Sequence, residues 1–479
     1  MEITRHFPSA LARLALCLAL LFYTVAHSVV QAKSSVMPVS TVESTGGIHP
    51  DVLSAYQHSL VTEIVKVAGY QAQFDSSLSL ASTLFTSENV GNTESVGNTE
   101  RTESTKGIES TIGTNDVKFR QAHSKRLYTG VRRTPENEHQ YYWITPIAAF
   151  SCANNTIECS NNMGEGNTDV SLSYLALYNI VENKELAESL SLTASEFKAS
   201  ASYQELQNEI SAKLDSPQSV FSFGILSFVG NLHVDTSNLW IISDLVPLFS
   251  QLGERNELEG LAADFVREVL IDAEITSPIL YAPWDRIAKE ATTKSNVLVF
   301  SIVLTAEREP IFHWITPISR NLHGFFGINQ GTFEKIDDVP LKTRVGTLKN
   351  DYRFDVAASR GFDAKAYGSW PEMVEAVLKN EVDVIFGSQG AVDFGCNGNA
   401  RCSDIQQVAP YNVSSTYLAL SKLDTSLVLV EKLKLASARI KKSNKFKQTS
   451  QAWSEAVHNN HNVAHHIENG VVHLWKKQK

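Results

Sequence analysis

Histidines and cysteines are the residues in this chain whose type and spacing first point to chemistry. His458, His461, His465, His466 and His473 crowd the end of a 479-residue sequence that holds 14 histidines in all. On a helix, His458, His461 and His465 would follow i, i+3, i+7, the spacing a zinc or nickel site uses. No cysteine is near, and the only carboxylate at hand is Glu468. The preferred reading is therefore a solvated, weakly structured His-rich tail over 457–479, with no metal and no cofactor. Cys152 and Cys159 are close neighbours, and so are Cys396 and Cys402. Neither pair has the tight spacing of a four-thiolate zinc site, so in an oxidising compartment two local disulfides are expected.

The N-terminus points to such a compartment. Arg5 and Arg13 precede an apolar run from Leu14 to Ala26, too short for the ~20 residues a bilayer span needs. Val30, Gln31 and Ala32 follow with small residues at both ends of the triplet, as a signal peptidase requires, so 1–32 reads as a secretory leader cut after Ala32, with Ala26 and Ser28 as earlier alternatives. Cys17 is a poor lipidation site, because Leu16 precedes it where a small residue is needed. The exported chain is expected in the periplasm without a membrane anchor. Its 43% hydrophobic and 20% charged residues exclude a disordered or multi-span chain, and its length allows about three domains. A net charge of -10 argues against a nucleic-acid partner.

A tandem duplication organises the rest. Thr134 to Ile147 (TPENEHQYYWITPI) and Thr305 to Ile318 (TAEREPIFHWITPI) agree without a gap at eight positions. Tyr174-Leu-Ala-Leu177 follows Cys159 at the same interval as Tyr417-Leu-Ala-Leu420 follows Cys402. Leu60, Ile64, Val65 and Ala68 trace one apolar helical face, and Phe265, Val266, Val269 and Leu270 trace its counterpart. The copies are unequal: residues 319–395 separate WITPI from the first cysteine in the second copy, against 148–151 in the first. The first copy carries instead a polar insertion over 87–116, with VGNTE twice, which reads as a disordered loop. Val220 to Leu232 reads as a buried strand with its turn.

The second copy alternates strand and helix. Strands are expected at Trp240–Ser243, from Ile279, at Asn296–Ser301, Thr343–Leu348 and Val382–Phe386. Helices are expected at Leu261–Leu270, after Pro283, near Asp351–Ser359 and at Trp370–Lys379. Ser369 and Glu372 form a capping box at the start of that last helix. Such alternation means α/β units with mostly parallel sheets.

Residues 238–456 resemble the family 3 extracytoplasmic solute-binding proteins, through Pro283-Trp284 and Arg286, Thr305-x-Glu307-Arg308, Trp314-Ile-Thr-Pro-Ile318 and Asp383-Val-Ile-Phe-Gly387. The resemblance implies an α/β, two-lobed periplasmic-binding-protein-like clamp of type II. A degenerate, truncated one-lobe α/β copy over 33–230 would precede it. Lobe one would comprise 238–322 and the return after about 405, and lobe two 325–400. By the same resemblance Arg308 would anchor a ligand carboxylate, with Ser301 and Phe249 lining the pocket from lobe one. Asp351, Tyr352 and Ser388 would line it from lobe two. Family members that bind amino acids carry an acid where this chain has Ser388, so an organic acid or other polar solute is favoured, unless Asp351 substitutes. Arg308 also reads as an ion-pair partner of Glu307 or Glu309, Phe249 as core, and Trp284 as packing. In the first copy Asn137 stands at the Arg308 position.

The function expected is capture of a small, carboxylate-bearing solute for an ABC permease or a membrane receptor, without catalysis. The alternatives are a dehydratase-like enzyme or an interaction protein with no ligand. An enzyme would require a general acid in the cleft, and His313 and His323 read as strand-end residues outside it.

Overall fold

The computed structural model describes residues 35–41, 50–74, 119–134, 136–151, 170–214, 216–246, 248–349, 351–461 and 463–475. The leader, the polar insertion over 87–116 and the pair Cys152 and Cys159 lie outside the described residues. Among the described residues no helix is long and apolar enough to cross a membrane.

The N-terminal unit is built on one seven-stranded sheet. Its strands are β1 (Ser35–Thr41), β2 (Tyr70–Phe74), β3 (Leu127–Arg132), β4 (Tyr141–Ser151), β5 (Val170–Tyr178), β6 (Val220–Ser222) and β7 (Ile225–Ser227). They run in the order β2-β1-β3-β5-β4-β7-β6. The helix Pro50–Val67 turns Leu53, Tyr56, Leu60, Val61, Ile64 and Val65 inward, as its 3.6-residue periodicity requires. Each such side chain contributes about 1.5–3 kcal/mol through burial.

The C-terminal unit contains β8 (Trp240–Ser243), the short pair β9 (Gln251–Leu252) and β10 (Leu258–Glu259), β11 (Ile279–Tyr281), β12 (Val297–Val303) and β13 (Phe312–Gly327). After these come β14 (Arg344–Leu348), β15 (Asp363–Tyr367), β16 (Val384–Ser388), β17 (Gln406–Ser421), β18 (His466–Glu468) and β19 (Val471–His473). The long strands β13 and β17 pair antiparallel from Phe312↔Ser421 to Gly327↔Gln406. One end of this ribbon continues into β12, β8 and β11, and the other into β16, β14 and β15. Two lobes therefore share one pair of strands. Lobe one is closed by a core that includes Phe265, Leu298, Phe300, Ile315 and Leu433. In lobe two the strand alternation sends Phe325 to one face, with Val345 and Phe386, and Phe326 to the other, with Met373 and Ile385. The architecture is an α/β two-lobed clamp preceded by a one-sheet α/β unit.

The two units repeat the same strand pairings. Trp143↔Ala176, Thr145↔Leu175 and Pro146↔Tyr174 in β4–β5 match Trp314↔Ala419, Thr316↔Leu418 and Pro317↔Tyr417 in β13–β17. Both ladders shift register after the tryptophan and again after the proline. The hairpin β6–β7 joins the edge of β4 through Ala148↔Leu226, and β18–β19 joins β13 through Ser319↔Val472. Both hairpins turn through two residues in the left-handed region, Phe223 and Gly224 (φ 52 and 74) and Asn469 and Gly470 (φ 51 and 69).

This last pairing corrects the expectation of a weakly structured tail. Residues 466–473 are strands of lobe one, with Val472 and Leu474 in its core. The helical face of His458, His461 and His465 does not form either, since the helix Asn444–His461 ends before His465. His465 instead meets Ser454 Oγ and Val463 O.

The units pack through the helices Lys184–Lys198 and Leu427–Lys442. Lys198 is fully enclosed there, its Nζ donating to Pro146 O at 2.7 Å and pairing with Glu431 Oε1 at 3.1 Å. Thr145 Oγ1 donates to the same carboxylate oxygen at 3.1 Å. At the matching place in lobe one, Lys441 Nζ donates to Pro317 O at 2.5 Å. Lys434 Nζ donates to Ser191 Oγ at 3.1 Å, tying the two helices midway.

Candidate functional site

A cavity of about 450 Å³ lies between the lobes. Arg308, Ser301, Phe249, Asp351, Tyr352 and Ser388, the six residues singled out from sequence, all line it.

Lobe one supplies the first three. β12 ends at Val303, and the turn that follows places Arg308 so that its Nη1–H donates to Val303 O at 3.1 Å. Burial works against the guanidinium charge, and Asp351 and Tyr352 only partly offset that penalty. Ser301 occupies a bulge of β12, between the Val299 and Ile302 pairings, with φ at 58°. That is the left-handed region, which costs an L-residue about 1 kcal/mol or more. Phe249 divides its roles: it is 4% exposed, packs on the Trp453 ring at 5.4 Å in the core of lobe one and also lines the cavity.

Lobe two supplies two helix N-termini. Asp351 caps the helix Tyr352–Ser359, its Oδ1 accepting the Arg353 N–H at 2.9 Å. Ser388 caps the helix Gln389–Cys396, accepting the Ala391 N–H at 3.2 Å. Both helix dipoles favour negative charge in the cavity. Arg353 also grips the Asp351 carboxylate in a fork at 2.7 and 2.5 Å. Burial alone would raise the Asp351 carboxyl, yet the Arg353 charge and hydrogen bonds hold it below the usual carboxylate range. Asp351 is thus already engaged by Arg353.

The sequence reading placed His323 outside the cleft; the structure corrects this. His323 lines the cavity in the middle of β13, where the lobes meet. Its Nδ1 lies 3.1 Å from Arg353 Nη1 and its Nε2 lies 2.5 Å from Ser414 Oγ. An arginine can only donate, so Nδ1 accepts and Nε2 carries the proton toward Ser414. Burial, then the Arg353 charge, push the His323 pKa down to about 3. The imidazole is neutral, and both of its nitrogens are engaged. Asp244, Asn321, Arg353 and Thr416 also line the cavity and escaped the sequence reading. Arg353 stands two residues after Asp351, inside the helix expected there. Cys396 and Cys402 form the expected disulfide, with Cα atoms 6.0 Å apart, just behind the Ser388 helix.

No protein-family model matches the chain, and no curated protein matches it. Several solved structures are similar to just under half of the chain in outline. A histidine kinase sensor domain with similarity to periplasmic binding proteins is 13% identical, over 46% of this chain and 97% of that one, with a TM-score of 0.39. A mutant of ArgBP from T. maritima is 15% identical, over 46% of this chain and 96% of that one, with a TM-score of 0.39. The GluR0 ligand-binding core from Nostoc punctiforme, in complex with (L)-glutamate, is 19% identical, over 45% of this chain and 98% of that one, at 0.38. Likeness at this level carries no weight for function, which rests on the cavity itself.

Proposed function

We propose that the chain binds a small, polar, carboxylate-bearing solute outside the cytoplasm and presents it to an ABC permease or a membrane receptor. One observation carries the reading. Ser301 Oγ and Tyr352 Oη are both buried without a hydrogen-bond partner, and they line the same cavity as Arg308. Unsatisfied buried hydroxyls are costly, and a polar ligand is the natural remedy. Arg308 supplies the charge and the planar fork that suit a carboxylate. Ser388 in place of an acid, and Asp351 held by Arg353, favour an organic acid over an α-amino acid. Asp244, whose Oδ1 accepts the Leu245 N–H at 2.8 Å, is the other carboxylate in the wall. Solute binding would draw the lobes together about β13 and β17, a hinge motion whose equilibrium the ligand shifts. The engaged, neutral His323 supports binding rather than acid catalysis.

Residues 33–230 fit a degenerate partial copy of the same unit, lacking the second lobe. Matching registers, bulges and hairpins support that reading, and the packing of the helices Lys184–Lys198 and Leu427–Lys442 gives the copy a role as a brace for the clamp.

Thermal-shift screening with organic acids, amino acids and sugars tests the proposal. A carboxylate should raise the melting temperature of the wild type and leave Arg308→Ala unmoved. If no compound stabilises the protein, and Arg308→Ala behaves as wild type throughout, solute binding is wrong. Consumption of a compound without a bound complex would point to an enzyme instead.

A further inference from the structure

The C-terminal hairpin carries a second constellation, away from the Arg308 carboxylate anchor. β18 and β19 pair with His466 opposite His473 and Glu468 opposite Val471. Strand alternation then sets His466, Glu468, His473 and Trp475 on one face and Ile467, Val472 and Leu474 on the other, against the core of lobe one. One ligand atom from each of His466, Glu468 and His473 lies within 4.8 Å of the other two. We propose that this face is a binding site for a divalent transition-metal ion of the zinc type.

Three features support it. Two imidazoles and a carboxylate are the three-ligand set that zinc accepts with a fourth position left to water, whereas calcium and magnesium need more oxygen. Bond lengths near 2.0–2.2 Å put tetrahedral ligand atoms about 3.3 Å apart, so the two imidazoles, stacked at 4.6 Å between ring centroids, would turn out of their stack to meet one ion. Next, His466 Nδ1 lies 2.9 Å from Trp475 O. A carbonyl only accepts, so Nδ1 holds a proton there and Nε2 is the atom left for a metal, the arrangement that orients a metal-binding histidine.

The third feature is a control built into the chain. The hairpin β6–β7 has the same register, the same two-residue turn and the same docking edge. At the three positions it carries Val220, Ser222 and Ser227, paired as Val220↔Ser227 and Ser222↔Ile225. A hairpin of this shape folds and docks without any metal-binding group, so packing does not require two histidines and a glutamate here. The site also touches the cleft: Leu474, next to His473, lines the solute cavity and closes on Gly390 of lobe two, where an added Cβ would meet it at 3.0 Å. A bound ion would hold that wall in place.

Calorimetric titration of the chelator-stripped full chain with Zn²⁺ tests the site. One equivalent should bind, and His466→Ala or His473→Ala should each weaken it on the order of 100-fold. Glu468→Gln, at an exposed position, should weaken it roughly 10-fold without disturbing the fold. The combined variant His466→Val, Glu468→Ser, His473→Ser installs the residues of the sister hairpin. It should melt as wild type does in chelator and lose the rise of about 2–4 °C that saturating Zn²⁺ gives the wild type. Absence of a bound equivalent in the wild type, or an equivalent retained by the combined variant or by Glu468→Gln at full affinity, would overturn the proposal.

Discussion

Asn137 and Arg308 hold the same place in the two units and perform the same local duty. Asn137 Nδ2 donates to Arg132 O at 2.8 Å, and Arg308 Nη1 donates to Val303 O at 3.1 Å. The turn needs one donor to that carbonyl, and an amide suffices. The long charged fork of Arg308 is more than that bond to the carbonyl requires. The bulge in the preceding strand tells the same story. Gly130 takes it at φ 82°, which glycine adopts without strain, while Ser301 takes it at φ 58° and leaves its hydroxyl buried without a partner. Where the N-terminal unit has the relaxed solution, the C-terminal unit has a strained and polar one facing a cavity. The comparison teaches that the differences concentrate in cavity-lining residues, while the scaffold is held in common.

That contrast can be broken most forcefully at the interface. Glu431 is buried with Lys198 and Thr145, whereas Glu188, at the matching helix position of the N-terminal unit, is exposed. Glu431→Ala should cost about 3–5 kcal/mol by leaving a buried ammonium unpaired, and Glu188→Ala should stay within about 0.5 kcal/mol. Urea denaturation of the two variants checks this, and equal losses would mean that the units do not brace one another.

The next effect is at the anchor. Arg308→Ala should cost about 1.5–3 kcal/mol of solute affinity, roughly 10- to 150-fold, by calorimetry with whichever carboxylate the screen identifies. Asn137→Arg should confer no second binding event.

A third test uses acid. His323 has a folded pKa of about 3 against an ordinary value of 6.5. The unfolded chain therefore binds more protons within that window. Stability from this group is complete above about pH 6.5 and falls as the pH drops toward 3, by at most about 1.4 kcal/mol per pH unit. Denaturation at a series of pH values should show a slope of this sign between 6.5 and 4, and His323→Gln should reduce it, leaving the share of His313, whose pKa burial also lowers. The smallest expected effect is at the bulge. Ser301→Gly should weaken solute binding by about 0.5–1.5 kcal/mol, the worth of one hydrogen bond, with the melting temperature unchanged or slightly raised.

Much of the scaffold was legible because its signals are local. The apolar spacing in 50–67 and 261–272 and the Ser369 cap each declare themselves within a few residues. Ser369 Oγ does accept the Glu372 N–H, although Glu372 returns its bond to the Gly368 N–H and not to Ser369. The hairpin at 466–473 was missed because its histidines drew attention to helical spacing, and two three-residue strands are too short to show alternation. His323 was missed because nothing in its own neighbourhood says that β13 runs on from one lobe into the other.

By itself the sequence determined the matched segments of the two units and many of the strands and helices, and its resemblance to the family 3 solute-binding proteins pointed to the six residues that line one cavity. The elements follow from periodicity and capping, which act within a turn or two of chain. The tertiary structure alone decided that Asp351 is spoken for by Arg353, that His323 sits neutral between Arg353 and Ser414, and that His466, Glu468 and His473 share a face. Each of those facts depends on side-chain burial and hydrogen-bond geometry. Charge and hydrogen bonding change meaning once water is excluded, and only the folded chain determines where that happens.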